Sequence, residues 1–289
     1  MVMKIFSNGW SHGFDGPGRR WVYYLKGCNF RCLWCGTPEG ITAETEMMFY
    51  PDRGEFAAES CPYGAVSAQG LDREKCRGCA ARPCVNHWHN RNFECCGREI
   101  TTGELLAEVE ARRALFGADG GVTFSGGEPT LQMDALLEAA RALCGRGVHL
   151  TLENNASSPR FKELEGVFDL LICDLKCVTP ELHHRITGAD NRQVLENLSS
   201  NLEKTIRIPL IKDLNFTEQE REAIYGFLLA TRPAAVEFLR LHQLGVPKYV
   251  ALGQRCPAEK MLPPPPEEVE ALCRRLRDSG IATKLLNWK

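Results

Sequence analysis

The sequence lacks a strong charge imbalance and has no long apolar run. Its 289 residues carry 35 Lys and Arg against 37 Asp and Glu, a formal net charge of −2, so no positive field covers the protein. No apolar run approaches the roughly 20 residues that span a bilayer, and the start of the chain lacks the apolar core and cleavage site of a signal peptide. We therefore expect a cytoplasmic protein with neither a nucleic-acid partner nor a membrane partner.

Leucine and isoleucine are scarce between about residues 36 and 97, and no helical or alternating periodicity is sustained there. Nine of the 14 cysteines lie between Cys28 and Cys96. Disulfide scaffolds are typically short secreted chains, whereas clustered cysteines in a long cytoplasmic chain indicate metal or redox use. We expect residues 40–97 to form an inserted cysteine-rich iron–sulfur module, and residues 1–39 and 98–289 to form the main domain.

The rest of the chain alternates short apolar runs with helix-like segments. Six runs are predicted as strands: 21–25, 122–124, 149–152, 170–173, 205–208 and 236–241. Helices are predicted after a cap at Thr101 or Thr102 and over 131–144, 158–165, 180–186, 193–202, 217–230 and 267–278. Residues 281–288 are expected to add an edge strand or to pack as coil. This alternation predicts an α/β fold with a parallel sheet, either open and doubly wound or a complete or partial barrel.

Three cysteines, Cys28, Cys32 and Cys35, follow the first predicted strand at CxxxCxxC spacing. Three thiolates leave one iron of a 4Fe–4S cluster open, because such clusters normally take four protein ligands. A zinc knuckle is the alternative, but zinc sites usually pair CxxC units and close all four positions. No fourth ligand is adjacent here, so the spacing favours a cluster whose open iron chelates the amino and carboxylate groups of a substrate.

The CxxxCxxC loop, with Trp34 just before its third cysteine, resembles the signature of radical S-adenosylmethionine (SAM) enzymes. The preceding segment, from Asp15 to Cys28, resembles that of glycyl-radical-enzyme activating enzymes, with Tyr24 where that family usually has Phe. The similarity of motif order extends in patches to about Tyr249. It implies a partial (β/α)6 TIM-like barrel with a 4Fe–4S cluster, where SAM is cleaved to a 5′-deoxyadenosyl radical that takes hydrogen from a backbone glycine of a partner enzyme.

Ser125-Gly-Gly-Glu-Pro129 follows a predicted strand and on its own is equally consistent with a simple turn. By resemblance, Gly126, Gly127 and Glu128 belong to the segment that binds the methionine amino group. The resemblance also implies catalytic roles for Asp15, beside the glycine loop, and Lys176. It implies cofactor contacts at the positions Trp34, Glu153, Asp174, Lys176, Arg207 and His242. Arg207 suits the methionine carboxylate, although for any one charged residue here a structural salt bridge is an equal alternative.

Within the insert, Cys61-Pro resembles the end of one ferredoxin half, and Cys76 and Cys79 resemble the start of the next, with Cys84 following. These four cysteines are predicted to hold one auxiliary 4Fe–4S cluster, with Cys95 or Cys96 as alternative ligands. A second auxiliary cluster is not expected, because residues 47–60 contain no cysteine. Zinc is the alternative metal for the insert. His87 and His89 are expected to be surface residues rather than ligands.

The resemblance implies two protein partners: a glycyl radical enzyme and an electron donor of the flavodoxin or ferredoxin type. We expect a monomer. Two other functions stay open, a radical SAM enzyme that modifies a small molecule or peptide, and a non-catalytic ferredoxin-like electron carrier. The remaining cysteines, Cys144, Cys173, Cys177, Cys256 and Cys273, are expected to be buried small hydrophobes.

Overall fold

The computed structural model describes residues 1–53, 61–67, 70–79, 82–86 and 91–286. Its strands are β1 (Val2–His12), β2 (Arg19–Leu25), β3 (Glu46–Phe49), β4 (Val66–Ser67), β5 (Gly70–Leu71), β6 (Phe93–Cys96), β7 (Arg98–Thr101), β8 (Gly121–Gly126), β9 (Leu150–Asn154), β10 (Leu170–Asp174), β11 (Thr205–Leu210), β12 (Ala235–Arg240) and β13 (Thr283–Leu286). Its α-helices are α1 (Arg73–Arg77), α2 (Pro83–Asn86), α3 (Thr102–Glu110), α4 (Met133–Cys144), α5 (Pro180–Thr187), α6 (Arg192–Leu198), α7 (Glu218–Thr231), α8 (Val246–Ala251) and α9 (Pro266–Asp278).

One nine-stranded sheet organises the chain, in the order β13-β12-β11-β10-β9-β8-β2-β1-β7. The strands from β2 through β8 to β13 are parallel to their neighbours. The six predicted strands are all present as consecutive members of this parallel run, which confirms the α/β prediction. Their carboxyl ends therefore meet at one edge, where ligands bind in folds of this class.

The helices cover the sheet with their apolar faces. In α4, the residues Leu136, Ala140 and Leu143 are fully buried and recur at helical spacing. The predicted cap of α3 is confirmed at Thr101, whose side chain forms a reciprocal capping box with Glu104. The end of the chain contributes β13, which pairs in parallel with β12, so the edge-strand alternative is correct over 283–286.

Several elements differ from the prediction, and β7 is among the strands that were not expected. β1 was not expected, because only its first half buries apolar side chains; it pairs antiparallel with β2, with an irregular register between Ile5 and Ser7. The helix predicted over 158–165 is wrong: only the 3-10 turn Phe161–Leu164 forms, where Ser158 Oγ accepts the Arg160 N–H. Helix α8 was also missed.

The described part of the insert is built from short elements. β3 pairs with β6 and β4 pairs with β5, both antiparallel. Helix α1 contains Cys76 and helix α2 contains Cys84. His87 and His89 lie outside the described residues, so the structure does not test that prediction. Within the described ranges, no helix is long and apolar enough to cross a membrane.

Candidate active site

A cavity of about 630 Å³ lies where the cysteine loop meets the carboxyl ends of the parallel strands, a volume typical of small-molecule sites. Every predicted residue of the main site except Glu128 lines it. Those residues are Asp15, Cys28, Cys32, Trp34, Cys35, Gly126, Gly127, Glu153, Asp174, Lys176, Arg207 and His242. Residues that are far apart in the sequence are therefore brought into one space.

The cysteine loop is anchored by its backbone to the end of α5. The N–H groups of Arg31 and Leu33 donate to Thr187 O at 2.7 Å and Ile186 O at 3.0 Å, carbonyls that lack intrahelical partners at a helix C-terminus. None of the 14 cysteines forms a disulfide. Because the loop is held from outside, its three cysteine side chains are left to face the cavity.

The chemistry of these thiols fits an iron–sulfur cluster. Burial raises the pKa of Cys28 and of Cys32 to about 12, so thiolates here require a nearby positive charge. Iron supplies that charge and prefers soft thiolate ligands. Within the described ranges, no three His, Cys, Asp or Glu side chains converge on a single metal ion. A cluster does not require such convergence, because each thiolate binds a different iron.

The glycine segment after β8 passes against the backbone of the cysteine loop. A Cβ on Gly127 would lie 2.2 Å from Gly27 O and 2.6 Å from Gly40 O, and Gly126 has φ +118°. The Gly127 N–H donates to Leu25 O at 2.9 Å. Only glycine fits this close approach, which lets the segment's backbone line the cavity beside the cysteines.

Glu128 lies behind the cavity wall instead of lining it. The residue is fully buried, its Oε1 accepts the Thr130 N–H at 3.0 Å, and its Oε2 accepts the Asn155 N–H at 2.6 Å. Burial raises the pKa of this carboxyl. Since protein donors occupy the carboxylate, Glu128 holds two loops together, and the predicted cofactor contact at this position has no exposed group to carry it.

Asp174 and Lys176, at the end of β10, form an ion pair of 2.8 Å at the cavity. Burial alone would lower the pKa of Lys176, but the Asp174 carboxylate holds it above its usual range. The ammonium group is therefore charged. It offers a cation to an anionic ligand group, while Asp174 offers an acceptor to hydroxyl groups.

Arg207 is engaged by the protein at each of its three guanidinium nitrogens. Nη1 donates to Glu153 Oε1 at 2.5 Å, Nε and Nη2 donate to Glu237 Oε2 at 3.0 and 2.8 Å, and Nη2 also donates to Phe14 O at 2.5 Å. Glu153 accepts a further bond from Ser125 Oγ at 2.6 Å. The predicted pairing of Arg207 with a methionine carboxylate thus competes with partners that are already in place.

Sequence reasoning missed several residues of this site. Glu237 lies directly opposite Arg207 in the β11–β12 register, and the signal in the sequence was a charged residue between the apolar residues Val236 and Phe238. Lys248 of α8 lines the cavity and pairs with Glu39 at 2.5 Å. No motif marked Lys248, because its partner is 209 residues away in the sequence.

A second, smaller cavity lies in the insert and is lined by all four predicted auxiliary ligands, Cys61, Cys76, Cys79 and Cys84. Backbone N–H groups point at two of these sulfurs, from Ala65 to Cys61 at 3.4 Å and from Arg82 to Cys79 at 3.3 Å. Such bonds are typical around cluster thiolates.

The alternative ligands Cys95 and Cys96 face opposite sides of β6. Cys95 packs against the same buried apolar residues as Cys61, Cys76 and Cys84, and it accepts a hydrogen bond from Arg82 Nη1 at 3.4 Å. Cys96 is 1% exposed and packs against Phe6 and Met48 instead. Of the other cysteines, Cys173, Cys177, Cys256 and Cys273 are buried as predicted; Cys144 is exposed at the end of α4, so that prediction is wrong.

Comparison with known proteins gives consistent results. Residues 22–228 match the radical SAM superfamily. The 4-hydroxyphenylacetate decarboxylase activating enzyme of Clostridioides difficile (strain CD196) is 30% identical over 287 residues, covering 93% of this chain and 91% of that protein. The (2S)-3-sulfopropanediol sulfolyase activating enzyme of Bilophila wadsworthia is 33% identical over 260 residues, covering 83% and 85%.

Among solved structures, QueE from Escherichia coli superposes with a TM-score of 0.51 at 16% identity, covering all of this chain and 95% of that one. At this identity the likeness concerns the fold alone. The shared architecture is an α/β fold with a mostly parallel central sheet.

Proposed function

Since the chain belongs to the radical SAM superfamily, among its glycyl-radical-enzyme activating enzymes, we propose that its main cavity binds SAM beside a cluster held by Cys28, Cys32 and Cys35. The enzyme generates a radical from SAM for a glycyl radical enzyme. The observation that carries the site assignment is the single cavity lined by the cysteine loop, the glycine segment and the polar strand ends.

Different residues of the cavity are assigned to different parts of SAM. The backbone at Gly126 and Gly127 would receive the methionine amino group, and Lys176 would pair with the methionine carboxylate. Asp174 accepts from the ribose hydroxyls, and His242 and Trp34 border the nucleoside. When bound, the reduced cluster supplies one electron that cleaves SAM into methionine and a 5′-deoxyadenosyl radical, the hydrogen-abstracting species. The chain's own contribution is orientation and exclusion of water.

Asp15 is proposed to meet the protein substrate. It lines the same cavity as the cysteines, and its carboxylate accepts from Ser11 Oγ. A carboxylate is an acceptor for the backbone N–H groups of a glycine segment that enters the cavity. In this position Asp15 would hold that glycine in the cavity where SAM is proposed to bind.

Residues 40–97 are proposed to form a ferredoxin-like module with one auxiliary 4Fe–4S cluster on Cys61, Cys76, Cys79 and Cys84. The shared cavity of these four cysteines supports the assignment. The module relays electrons or docks a partner, and the donor is of the flavodoxin or ferredoxin type. Residues 1–39 and 98–289 are proposed to form the radical SAM partial barrel of a monomer.

The activity is tested by incubating the anaerobically reconstituted protein with dithionite and SAM. We expect 5′-deoxyadenosine, and its absence would exclude both enzyme functions and leave the electron carrier. Adding a glycyl radical enzyme from the same genome should then produce the electron paramagnetic resonance signal of a glycyl radical. Cleavage without that signal for any candidate partner would favour chemistry on a small molecule or peptide.

A further inference from the structure

We propose that Arg20 and Arg207 are positioning residues that fix the backbone of residues 14–17 so that Asp15 faces the cavity. The inference rests on the proposed function, in which Asp15 contacts the glycine segment of the partner. It assigns a task to Arg20, which no motif role explained, and a different task to Arg207 from the cofactor contact predicted by resemblance.

Three carbonyl groups of this short segment are each held by a side chain from a different strand. Phe14 O accepts from Arg207 Nη2 at 2.5 Å, Asp15 O accepts from Thr123 Oγ1 at 2.6 Å, and Pro17 O accepts from Arg20 Nη1 at 3.2 Å. A hairpin connection normally runs over the surface, solvated and mobile. This one is tied to the sheet at almost every residue.

Arg20 is fully buried and connects the segment to β8 and to His149. Besides Pro17 O, its guanidinium donates to Thr123 Oγ1 and to Val122 O, both at 2.6 Å, and to His149 O at 3.1 Å. Burial lowers its pKa to about 10. A buried guanidinium is costly unless its donors are satisfied, and here three backbone carbonyls, one hydroxyl and His149 Nδ1, at 3.3 Å from Nη1, satisfy them.

The segment itself is shaped for this fit. Gly16 has φ +115°, and a Cβ there would lie 2.8 Å from Thr151 Oγ1 and 2.9 Å from Arg20 Cδ. A side chain at this position would therefore push the segment away from Arg20 and weaken the hydrogen bonds that hold it. The glycine is required by the close approach of Arg20 as well as by its backbone angle.

The orientation of the Arg207 guanidinium is fixed by two carboxylates as well as by its contact with the segment. Glu153 on β9 and Glu237 on β12 hold its guanidinium from two directions, and this leaves an Nη2 hydrogen for Phe14 O. Bidentate and bridging carboxylates fix a planar guanidinium far better than a single contact. The result is that both the backbone and the side chain of Asp15 are ordered before a substrate arrives, which lowers the entropic cost of binding it.

The fixing of residues 14–17 by these side chains is tested by hydrogen exchange. Mass spectrometry reads the exchange of the peptide that covers residues 11–20 of the reconstituted protein. Arg20→Met, Arg207→Met and Thr123→Val should each speed its exchange about tenfold, because each variant removes one hydrogen bond between the segment and the sheet. Thr123→Val removes no charge, although it also takes the Oγ1 acceptor from Arg20 Nε. Thermal midpoints of all three variants show whether each has folded. The matched control is Thr231→Val. The Thr231 hydroxyl donates to Phe227 O at the end of α7, so its loss should leave the exchange rate of this peptide unchanged.

A positioning role also predicts a specific loss of coupling. In Arg20→Met, SAM cleavage without partner should stay within about twofold of wild type, while the 5′-deoxyadenosine formed per glycyl radical rises about tenfold. Arg20→Lys keeps the positive charge and one donor nitrogen. Its ratio of 5′-deoxyadenosine to glycyl radical should lie between those of the wild type and Arg20→Met. Unchanged exchange at residues 11–20 in all three variants would overturn the inference. A wild-type protein that does not cleave SAM would instead overturn the proposed function, since the exchange result stands without it.

Discussion

The carboxylate of Glu128 accepts the backbone N–H of Asn155 at 2.6 Å and so joins the loop after β8 to the loop after β9. Asn155 in turn donates through Nδ2 to Asn29 Oδ1 at 2.9 Å, within the cysteine loop. The three segments that surround the cavity are therefore connected by one short chain of hydrogen bonds.

Glu128→Ala should destabilise the protein by about 3 kcal/mol, because it leaves the N–H groups of Thr130 and Asn155 buried without acceptors. The measurement is the thermal midpoint of the reconstituted protein, which should fall by several degrees. Glu165→Ala, a change at an exposed glutamate, is the control and should shift the midpoint little. Equal midpoints for the two variants would remove the structural role assigned to Glu128.

The stability of the protein should depend on pH through Glu153. Burial raises the pKa of this carboxyl from 4.5 to about 7 despite the adjacent Arg207. Between these two values the folded state binds a proton that the unfolded state has lost, so wild-type stability falls as the pH rises from about 5 to about 7. The contribution is at most about 3 kcal/mol.

Glu153→Gln removes the titrating group and should flatten that part of the profile. Thermal midpoints of both proteins measured between pH 5 and pH 8 provide the comparison. A difference between them that does not change over this range would show that Glu153 is already ionised at pH 5.

Lys248→Met should loosen the cysteine loop. The substitution leaves Glu39, which is 7% exposed, without its partner in the turn that directly follows Cys35. We expect a loss of about 2 kcal/mol, below the range for fully buried pairs because Lys248 is 32% exposed. Iron should leave the protein faster in the presence of a chelator.

The matched control for that experiment is Arg255→Met, which breaks the pair with Glu259 at a position that is 83% exposed. It should leave the rate of iron loss unchanged, since exposed pairs contribute little. If both variants lose iron at the wild-type rate, the ion pair does not support the loop.

A Cys76→Ala, Cys79→Ala double variant should lower the iron content from about eight to about four per protein, because one of two clusters loses half of its ligands. Cys144→Ala, at the exposed cysteine, is the control. Iron content and partner activation both unchanged in the double variant would contradict the auxiliary cluster, and zinc lost instead of iron would identify the alternative metal.

Single substitutions separate the alternative ligands of that cluster. Cys96→Ala should leave the iron content unchanged, because Cys96 packs away from the auxiliary cavity against Phe6 and Met48. Cys95→Ala should also retain the iron if Cys61, Cys76, Cys79 and Cys84 are the four ligands. A loss of iron in Cys95→Ala would show that Cys95 is a ligand in place of one of these four cysteines.

Gly127→Ala should abolish SAM binding, because its Cβ would lie 2.2 Å from Gly27 O and force the glycine segment away from the cysteine loop. Calorimetry with SAM itself measures this without any partner. Gly226→Ala, in the middle of α7 where a Cβ meets nothing within 4 Å, is the control and should bind SAM as the wild type does.

The sequence by itself determined which segments form the parallel strands and which residues meet at the main cavity. Cys28, Cys32 and Cys35, the glycine segment and Lys176 could be predicted because spacing, periodicity and strand ends are local properties of the chain. For the same reason, the sequence could predict that Cys61, Cys76, Cys79 and Cys84 lie close together, as their shared cavity shows. Strand β1 could not be predicted in this way, because its second half faces solvent and shows no alternation.

Only the tertiary structure decided which partner each buried charged or polar group takes. Arg207 contacts Glu153 across 54 residues and Phe14 O across 193, and Glu128 reaches Asn155 across 27. Such pairings depend on the strand register and on which side chains share one face of the sheet. A buried donor or acceptor must be satisfied by whatever group the fold brings near, and that choice separates a cofactor contact from a positioning residue.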